Sequence, residues 1–373
     1  MNVYVHAWAC RSSFGATEAT FAALFAGEVA VRPIERFDAR GFPSRVAAPI
    51  DAWLDEEDRR TPMILDVLDQ LPPVEGRVGV FIGAESGRGR FDTLRALVAA
   101  GGQPFDAERF RVNAAPLAER LAPAVVSPAA PAWAIARRVG ATGPVETISL
   151  ACASSLAAIV EAVRAISLGE CDAAIAGGVG ADVDPLMLAG FGKLQALSAL
   201  GVSRPFDRRR DGVVVGEGAA LLVLSAEPGP IRVAGVGRSV DAHHLTMPDP
   251  EGQGAERAMR AAGGAADLVV AHGTSTPLND AVEAAAIARL GPVAAVTSVK
   301  GALGHWIAGA GALSATVACD AIVSGRLPGI PTLEHPDGSL PYIRQGQRGQ
   351  IDSTLVNAFA FGGANASVRL CRG

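Results

Sequence analysis

The sequence predicts an α/β protein whose sheets are covered by helices on both faces. Short runs rich in Val, Ile and Leu alternate with longer segments of helical periodicity, which is typical of strands joined by covering helices. The 373 residues exceed the roughly 250–300 at which a single core usually divides. The composition is 49% hydrophobic but only 5% aromatic, with 43 glycines. We therefore expect one very large domain, or two closely packed halves, built from small side chains.

The predicted strands follow one another along the whole chain. They lie near residues 77–83, 145–150, 172–178, 218–224, 267–273 and 294–299, and a closing pair that straddles Gly362 and Gly363 has the pattern of a hairpin. The region before Glu75 mixes charges with short helical stretches and is predicted to form a surface cap. The clearest change in composition along the chain is at segment 203–218, which is polar and punctuated by glycines. It divides the chain into a predicted N-terminal half, 1–215, and a C-terminal half, 216–373.

Charge and hydropathy exclude two classes of partner. The net charge is −5 with both signs interspersed, and no basic run is interleaved with aromatic residues, so a nucleic-acid partner is not expected. The N-terminal segment lacks a basic flank followed by an apolar core, and the apolar run from Trp306 is interrupted at Asp320. We expect no membrane span and a cytoplasmic location.

The cysteines do not predict a disulfide framework or a metal site. Cys10, Cys152, Cys171, Cys319 and Cys371 are an odd number, widely spaced and without CxxC pairs. Most free cysteines are simply small buried residues. We expect no metal in this protein.

Cys152 is the exception because of its local sequence. The strand-like run VETISL leads directly into ACASSLAAIVEAVRAISLG, where apolar residues follow helical spacing. A thiol at such a strand-to-helix turn lies near unpaired N–H groups that favour the thiolate. An isolated cysteine there would more often only fill space, so the nucleophile hypothesis depends on a second feature.

That second feature is a pair of histidines with a lysine between them. His272 follows the apolar run DLVVA, and His305 lies in SVKGALGHWIAG, just after Lys300. Each imidazole alone would more often be structural, and Lys300 would more often be a solvated charge. Together, two imidazole N–H groups can stabilise an enolate formed beside an acylated cysteine. A metal site is the competing hypothesis, but HExxH or i, i+4 ligand spacing is absent.

Six segments in this order resemble the β-ketoacyl-acyl-carrier-protein synthases of the thiolase superfamily. They are ETISLACASSLAA, SRPFDRRRDGVVVGEGAALLVLS, DAHHLTMPDPEGQG, AHGTSTPLND, SVKGALGH and NAFAFGGANAS. The resemblance covers about residues 75 to 371. It implies a thiolase-like fold of duplicated α/β halves, with two five-stranded sheets in a five-layer αβαβα sandwich. It also implies a homodimer, or a heterodimer with a related subunit.

The same resemblance implies a role for each matching residue. Cys152 would carry the acyl chain, while His272 and His305 would assist decarboxylation of a malonyl thioester and Lys300 would order the second histidine. The backbone N–H groups of Cys152 and Phe361 would form the oxyanion hole, and Phe361 would gate the acyl pocket. Thr274 and Thr276 would bind the phosphopantetheine arm of an acyl carrier protein; the alternative is that they only cap the following helix. No other cofactor is implied.

Some residues depart from the pattern or stay outside it. The family's opening strand is hard to recognise in VYVHAWACRSSFG, and Ser314 stands nine residues after His305, where a glutamate that engages the lysine is common. Trp306 is bulkier than usual, which suggests a restricted substrate shape. Three carboxylates are predicted to be structural, and His244 matches a position near the cleft without an assigned role. The carboxylates are Asp207, Asp211 and Glu217.

The leading functional hypothesis is decarboxylative Claisen condensation of an acyl thioester with a malonyl-carrier thioester, in fatty acid or polyketide synthesis. One alternative is a chain-length-setting subunit of a ketosynthase heterodimer, although such partners usually lack the cysteine. The other is an acyltransferase that uses the same acyl-cysteine. Retention of both histidines and Lys300 favours decarboxylation, because simple acyl transfer needs fewer groups.

Overall fold

The architecture is known from a computed structural model that describes residues 2–87 and 89–373. The strands are β1 Val3–Arg11, β2 Arg32–Pro33, β3 Val46–Ala47, β4 Val78–Gly83, β5 Val145–Ile148, β6 Ala173–Ala181, β7 Glu217–Ser225, β8 Ile231–Val240, β9 Leu268–Val270, β10 Ala295–Thr297, β11 Arg326–Leu327, β12 Gln347–Arg348, β13 Ser353–Phe359 and β14 Ala364–Arg372. The helices are α1 Thr17–Ala26, α2 Arg60–Leu68, α3 Phe91–Ala99, α4 Ala107–Arg120, α5 Pro123–Val126, α6 Ala130–Val139, α7 Ser154–Ser167, α8 Pro185–Lys193, α9 Gln253–Ala261, α10 Pro277–Arg289, α11 Lys300–Leu303 and α12 Ala310–Ser324.

The strand order shows an internal duplication. One half of the main sheet runs β5-β4-β6-β7-β1 and the other runs β10-β9-β13-β14-β8. In each half the first strand in the chain lies at the inner end and the next two lie at the outer end. Each half also has three parallel strands, followed by antiparallel neighbours. Two copies of one α/β unit therefore build the molecule, as the resemblance implies.

The two five-stranded halves are joined into one ten-stranded ladder. The inner strands β1 and β8 pair antiparallel over three positions, from Val3 opposite Val233 to Val5 opposite Ile231. The resemblance implies two sheets, and the structure differs only at this seam. Both inner strands are edges of their half, so their free backbone groups find partners in each other.

Helices form the remaining three layers of the αβαβα sandwich. Helices α7 and α12 contact each other and strands of both halves, so they make the central layer. Helices α2 and α6 cover the outer face of the N-terminal half, and α9, with α10 beside it, covers the C-terminal half. The largest core cluster joins Leu156 and Ile159 of α7 to strand residues of both halves, including Phe81 and Val356. The central layer is thus the common core.

Most strands lie where the sequence predicts them, and the closing pair is the antiparallel hairpin β13–β14. Two strands of the ten-stranded sheet were not predicted, and neither were the two-residue strands β2, β3, β11 and β12. The opening segment that was hard to recognise is a nine-residue strand, β1, and β8 follows β7 after a short turn. Both have mixed burial patterns, in which buried positions are interspersed with partly exposed ones. Their hydropathy pattern is correspondingly mixed.

The boundary between 1–215 and 216–373 remains a prediction. Strand β7, which begins at Glu217, pairs with β6 and β1 of the first half. The correspondence of strand orders therefore favours a junction after Ser225, between β7 and β8. The predicted cap before Glu75 contains α2, whose Met63, Ile64 and Val67 are buried against the first half.

One segment, Ile307–Ser324, is long and apolar enough to cross a membrane by length and composition alone. It is 89% buried inside the protein, because α12 belongs to the central layer between the two halves. Its apolar character is explained by contacts with both sheets.

Candidate active site

The candidate nucleophile lies on a tight turn between β5 and α7. After β5 ends at Ile148, residues Ala151–Ala153 form one turn of 3-10 helix, and α7 begins at Ser154. Ala151 has a φ of +47°, in the left-handed region, which is costly for a residue with a side chain. Cys152 is only 5% exposed. The predicted strand-to-helix position of the thiol is therefore confirmed.

Small residues allow this turn to approach the sheet. A Cβ added at Gly83, the last residue of β4, would overlap the backbone of Ser154 and Ser155 at the start of α7. A Cβ added at Gly178 of β6 would likewise overlap the Ser155 side chain. Glycine is required at both positions because α7 begins directly against them.

His305 is hydrogen-bonded to the thiol in a defined tautomer. Its Nε2 lies 3.0 Å from the Sγ of Cys152, and its Nδ1 accepts a hydrogen bond from the backbone N–H of Ile307 at 3.2 Å. Because Nδ1 is an acceptor, the ring proton is on Nε2. His305 therefore donates to sulfur and is not a base for the thiol.

His272 is held in the same tautomer by Lys300. The Nζ of Lys300 lies 3.4 Å from Nδ1 of His272 and also donates to the backbone carbonyl of that histidine. An ammonium can only donate, so Nδ1 is the acceptor and Nε2 carries the proton. The two imidazole rings are 5.6 Å apart and nearly perpendicular. In this structure Lys300 contacts the first histidine rather than the second, which differs from the role that the resemblance implies.

A buried carboxylate, that of Glu283, holds the backbone at His272. Glu283 of α10 accepts hydrogen bonds from the backbone N–H groups of His272 and Gly273, both at 2.7 Å, and from the Asn357 amide at 3.1 Å. Its charge also raises the pKa of Lys300 against the effect of burial. The sequence analysis did not single out Glu283, although its place in the helix after HGTSTPLND was a usable signal.

Ser314 does not take the place of a carboxylate partner for Lys300. Its Oγ is buried and has no hydrogen-bond partner in the parts of the chain that are described. Lys300 therefore lacks the glutamate that the family commonly places nine residues after the second histidine, and Glu283, on a different helix, is the carboxylate that acts on its pKa instead.

Burial dominates the protonation of the site. It lowers the pKa of both imidazoles well below 6.5, with the Lys300 charge adding to the effect, so both rings are neutral. It also lowers the pKa of Lys300 to about 8 and raises that of Glu283 to about 7. Desolvation disfavours every charged form.

The thiol follows the same rule, contrary to the sequence-based expectation of a favoured thiolate. Burial raises the pKa of Cys152 to about 12. Lys300 and the backbone N–H groups of Cys152 and Phe361 act in the opposite direction, and Glu85 acts with burial. The backbone N–H groups of Cys152 and Phe361 thus favour a negative charge at this position, which is the effect expected of oxyanion-hole donors.

A cleft of about 290 Å³ opens onto these groups. Cys152, His272 and His305 lie on its walls, together with Thr274, Thr276 and Phe361. The hydroxyls of Thr274 and Thr276 are 3.0 Å apart, and Thr276 also caps α10 through a 3.4 Å bond from the Asn279 N–H. Thr276 therefore caps the helix and also lines the cleft, so the two possibilities are compatible.

Phe361 stands beside the nucleophile on a glycine-rich loop. Its ring contacts Phe191 at a centroid distance of 6.0 Å. Gly362 and Gly363 follow with φ of +86° and +76°, values that favour glycine. Phe361 and Phe191 thus both belong to the lining of the cleft that contains the thiol.

Trp306 is excluded from the cleft, so the predicted restriction of substrate shape is wrong. Its side chain is fully buried in a core cluster with Cys10 and Phe21, and its indole N–H donates to the carbonyl of Leu303. The ring lies against Gly218, where no side chain competes for the space. The main chain turns the residue after His305 away from the site.

The three carboxylates predicted to be structural have structural contacts. Asp207 accepts from the backbone of Glu334 and His335, Asp211 accepts from Ser198, and Glu217 is paired with Arg36 and Arg59. His244 is exposed, and its Nδ1 accepts from the Thr246 and Met247 N–H groups in a turn at the mouth of the cleft.

The same three side chains are also close enough to be considered as metal ligands. The Sγ of Cys152 and one ring nitrogen from each of His272 and His305 lie within 4.8 Å of one another. The ammonium of Lys300 in contact with His272 would repel a cation there. The arrangement fits acyl chemistry better than metal ligation.

The fold and the site define a thiolase-like condensing enzyme with a Cys-His-His centre. Residues 69–228 match the family model "Beta-ketoacyl synthase, N-terminal domain" and residues 231–334 match "Beta-ketoacyl synthase, C-terminal domain". The chain belongs to the β-ketoacyl synthase family.

Individual relatives agree over nearly the whole chain. A protein of Coxiella burnetii named 3-oxoacyl-[acyl-carrier-protein] synthase 2 is 33% identical, over 94% of this chain and 93% of its own length. The structure titled "The ishigamide ketosynthase/chain length factor" superposes with a TM-score of 0.86 at 27% identity, covering 100% of this chain and 99% of the other. The structure of a β-ketoacyl synthase from Burkholderia phymatum superposes with a TM-score of 0.81 at 26% identity, covering 100% of this chain and 99% of the other.

Proposed function

We propose that this protein extends an acyl chain by decarboxylative condensation, with Cys152 as nucleophile and His272 and His305 as hydrogen-bond donors. The observation that carries the proposal is the common tautomer of the two histidines. Each ring has its Nδ1 occupied by a donor, so each carries its proton on Nε2. One nitrogen of each ring lies within 4.8 Å of Sγ, and two N–H donors beside the nucleophile suit a developing enolate oxygen.

The first half-reaction is acyl transfer to sulfur. The acyl carbon bonds to the Sγ of Cys152 and leaves the sulfur of the donor thioester, and the thiol proton passes to the departing thiolate. During this step the carbonyl oxygen becomes an oxyanion, which the N–H groups of Cys152 and Phe361 stabilise.

The second half-reaction uses the histidines. The malonyl thioester carbonyl accepts from both Nε2–H groups, and the bond to the carboxylate breaks to release carbon dioxide and leave an enolate. The enolate carbon attacks the acyl carbon, Sγ leaves with the bonding pair, and one proton restores the thiol. Neutral imidazoles are the right form because they donate without competing as acids.

The substrates enter on the arm of an acyl carrier protein, as the name of the Coxiella relative suggests. Thr274 and Thr276 would bind the phosphopantetheine arm in the cleft, and Phe361 would separate the acyl chain from that arm. The residues need no other cofactor and no metal. A second copy, or a related subunit such as a chain length factor, is the expected partner. A cytoplasmic location remains a prediction.

Intact-mass analysis with acyl-carrier and malonyl-carrier thioesters tests the proposal. The wild-type protein should gain an acyl adduct and release a β-ketoacyl-carrier product, and Cys152→Ala should lose both. Cys171→Ala, which removes another buried cysteine, is the matched control and should retain both.

The alternative functions give different results in the same experiment. An adduct without condensation, even with a partner subunit added, would favour an acyltransferase. Absence of an adduct with every acyl donor would contradict the proposal and favour a non-catalytic, chain-length-setting subunit.

A further inference from the structure

A second carboxylate, Glu85, is bonded to the turn that carries the nucleophile. It follows β4, and its Oε1 accepts from the backbone N–H of Ala151 at 3.0 Å and from the Ser154 hydroxyl at 3.3 Å. Its Oε2 accepts from the Ser149 hydroxyl at 2.8 Å. These contacts bracket Cys152 in sequence, from three residues before it to two after it.

The backbone of Glu85 is fixed independently of its side chain. Its carbonyl accepts from the guanidinium of Arg60, which also donates to the carbonyls of Val125 and Ser127. The Arg60 side chain is only 7% exposed and is paired with Asp58. The carboxylate therefore reaches the turn from a rigid position.

The turn is the strained part of the site. Ala151 has the left-handed φ of +47°, and its N–H would lack a partner without the carboxylate of Glu85. The Ser154 hydroxyl accepts from the Leu150 N–H and lies 2.6 Å from the Ala151 carbonyl. Glu85 and Ser154 together hold the conformation that places Sγ beside His305.

We propose that Glu85 is a positioning residue that fixes the turn of Cys152 and thereby sets the reactivity of its thiol. The mechanism above does not use this side chain. The inference depends on the proposed function only in taking Cys152 as the nucleophile.

Opposite charges act on the thiol from two sides. Glu85, in the loop after β4, disfavours the thiolate, whereas Lys300, on α11, favours it. His272 and His305, which complete the titratable groups facing the sulfur, are neutral. Glu85 also occupies the N–H of Ala151, in the turn just before α7.

A nucleophile held as a thiol has a chemical consequence. Alkylating agents and oxidants react with thiolates, so the resting enzyme resists them. An acyl donor differs because its carbonyl oxygen can enter the oxyanion hole as the new bond forms. Glu85 thus favours reaction with a bound thioester over reaction with stray electrophiles.

The pH dependence of Cys152 alkylation by iodoacetamide tests the proposal, measured at that residue by peptide mass spectrometry. Glu85→Gln retains an acceptor for Ala151 and removes the charge. Alkylation of this variant should be about three- to tenfold faster than wild type at pH 8, with its profile moved to lower pH. The direction follows because removing a negative charge lowers the pKa of the thiol.

Glu146→Gln is the matched control. It makes the same chemical change on β5, where the carboxylate acts on Arg164 instead, and its profile should match that of the wild type. An unchanged profile in folded Glu85→Gln would overturn the proposal, as would an equal shift in Glu146→Gln.

A second variant keeps the test valid if Glu85→Gln does not fold. Glu85→Asp keeps a carboxylate but shortens the side chain by one methylene, so that it cannot reach the Ala151 N–H, and acylation should slow about tenfold or more. Unchanged acylation in this variant would contradict the positioning role. Acyl-adduct formation by the wild-type protein distinguishes the proposed function from the role of Glu85. If no adduct forms, the proposed function is contradicted, but the alkylation result still tests Glu85.

Discussion

At the scale of residues, the chemistry depends on which nitrogen of each imidazole carries the proton. The backbone N–H of Ile307 sets the tautomer of His305, and the ammonium of Lys300 sets that of His272. The first donor cannot titrate, but the second can. We therefore expect the pH dependence of the site's activity to follow the titration of Lys300.

Malonyl decarboxylation should decline as the pH rises above about 8. Burial lowers the pKa of Lys300 to about 8, so the ammonium is present below that pH and is lost above it. A neutral amine can accept from Nδ1 and thereby release the tautomer that decarboxylation needs. The rate of carbon dioxide release from a malonyl-carrier thioester, measured from pH 6 to 9.5, checks this.

Lys300→Met serves as the comparison for this pH profile. Its activity should be low throughout, without the alkaline decline. A wild-type rate that stays constant up to pH 9.5 would show that the charge of Lys300 has no part in the reaction.

Glu283→Ala should destabilise the fold by about 2–5 kcal/mol, because it leaves two buried backbone N–H groups without an acceptor. Glu283→Gln should cost less, since one amide oxygen can still accept. Urea unfolding measures both. Ser314→Ala is the contrasting control, because it removes a buried hydroxyl without a partner and should leave the stability unchanged or raise it. Similar losses for all three variants would contradict this explanation.

At the scale of elements, glycines determine how closely strands and turns approach. Gly180, Gly216 and Gly218 each lie against Trp306 or its backbone, and an added Cβ would overlap it. This contact joins β6 and β7 to the segment that carries His305. The bulky residue next to the histidine is therefore a packing anchor for the site.

Gly218→Ala should destabilise the protein by about 1–3 kcal/mol through overpacking against the Trp306 ring. Trp306→Leu should cost about 2–4 kcal/mol by opening a cavity. The double variant should be less destabilised than the sum by about 1 kcal/mol or more, because the smaller side chain makes room for the new methyl group. Denaturant unfolding of the four proteins checks the cycle, and strict additivity would contradict the contact.

At the scale of the whole molecule, the ten-stranded ladder ends in two different edges. The outer edge of β10 is covered by residues 341–343, which bond to Val296. Within residues 2–87 and 89–373, β5 pairs only with β4. An uncovered strand of this kind can pair with a second chain.

Thr147→Pro should convert a dimer into a monomer. The carbonyls of Pro144 and Ile148 accept from β4, so the alternation along the strand directs the Thr147 N–H to the free edge. Proline removes that donor without breaking a bond to β4. Light scattering after gel filtration measures the mass, and Thr142→Pro, which lies outside the strand, is the control. A dimer that persists in Thr147→Pro would exclude pairing through this edge.

The sequence by itself determined the α/β class, most strands and the identity of Cys152, His272, His305 and Lys300. These were readable because buried strands need continuous apolar runs, and because reactive side chains follow them in short, distinctive segments. The family resemblance also placed Phe361, Thr274 and Thr276, all of which line the cleft. The tertiary structure decided the properties that depend on neighbours distant in sequence.

Three such properties were out of reach of local pattern. Trp306 adjoins a site histidine in sequence, but its ring is buried in a core cluster with Cys10 and Phe21. Burial raises the pKa of Cys152 although its helix position suggested a thiolate. Glu283 and Glu85 reach the site from a helix and a loop far along the chain, 11 residues from His272 and 66 from Ala151. Desolvation and hydrogen bonding are sums over spatial neighbours, so only the folded chain fixes them.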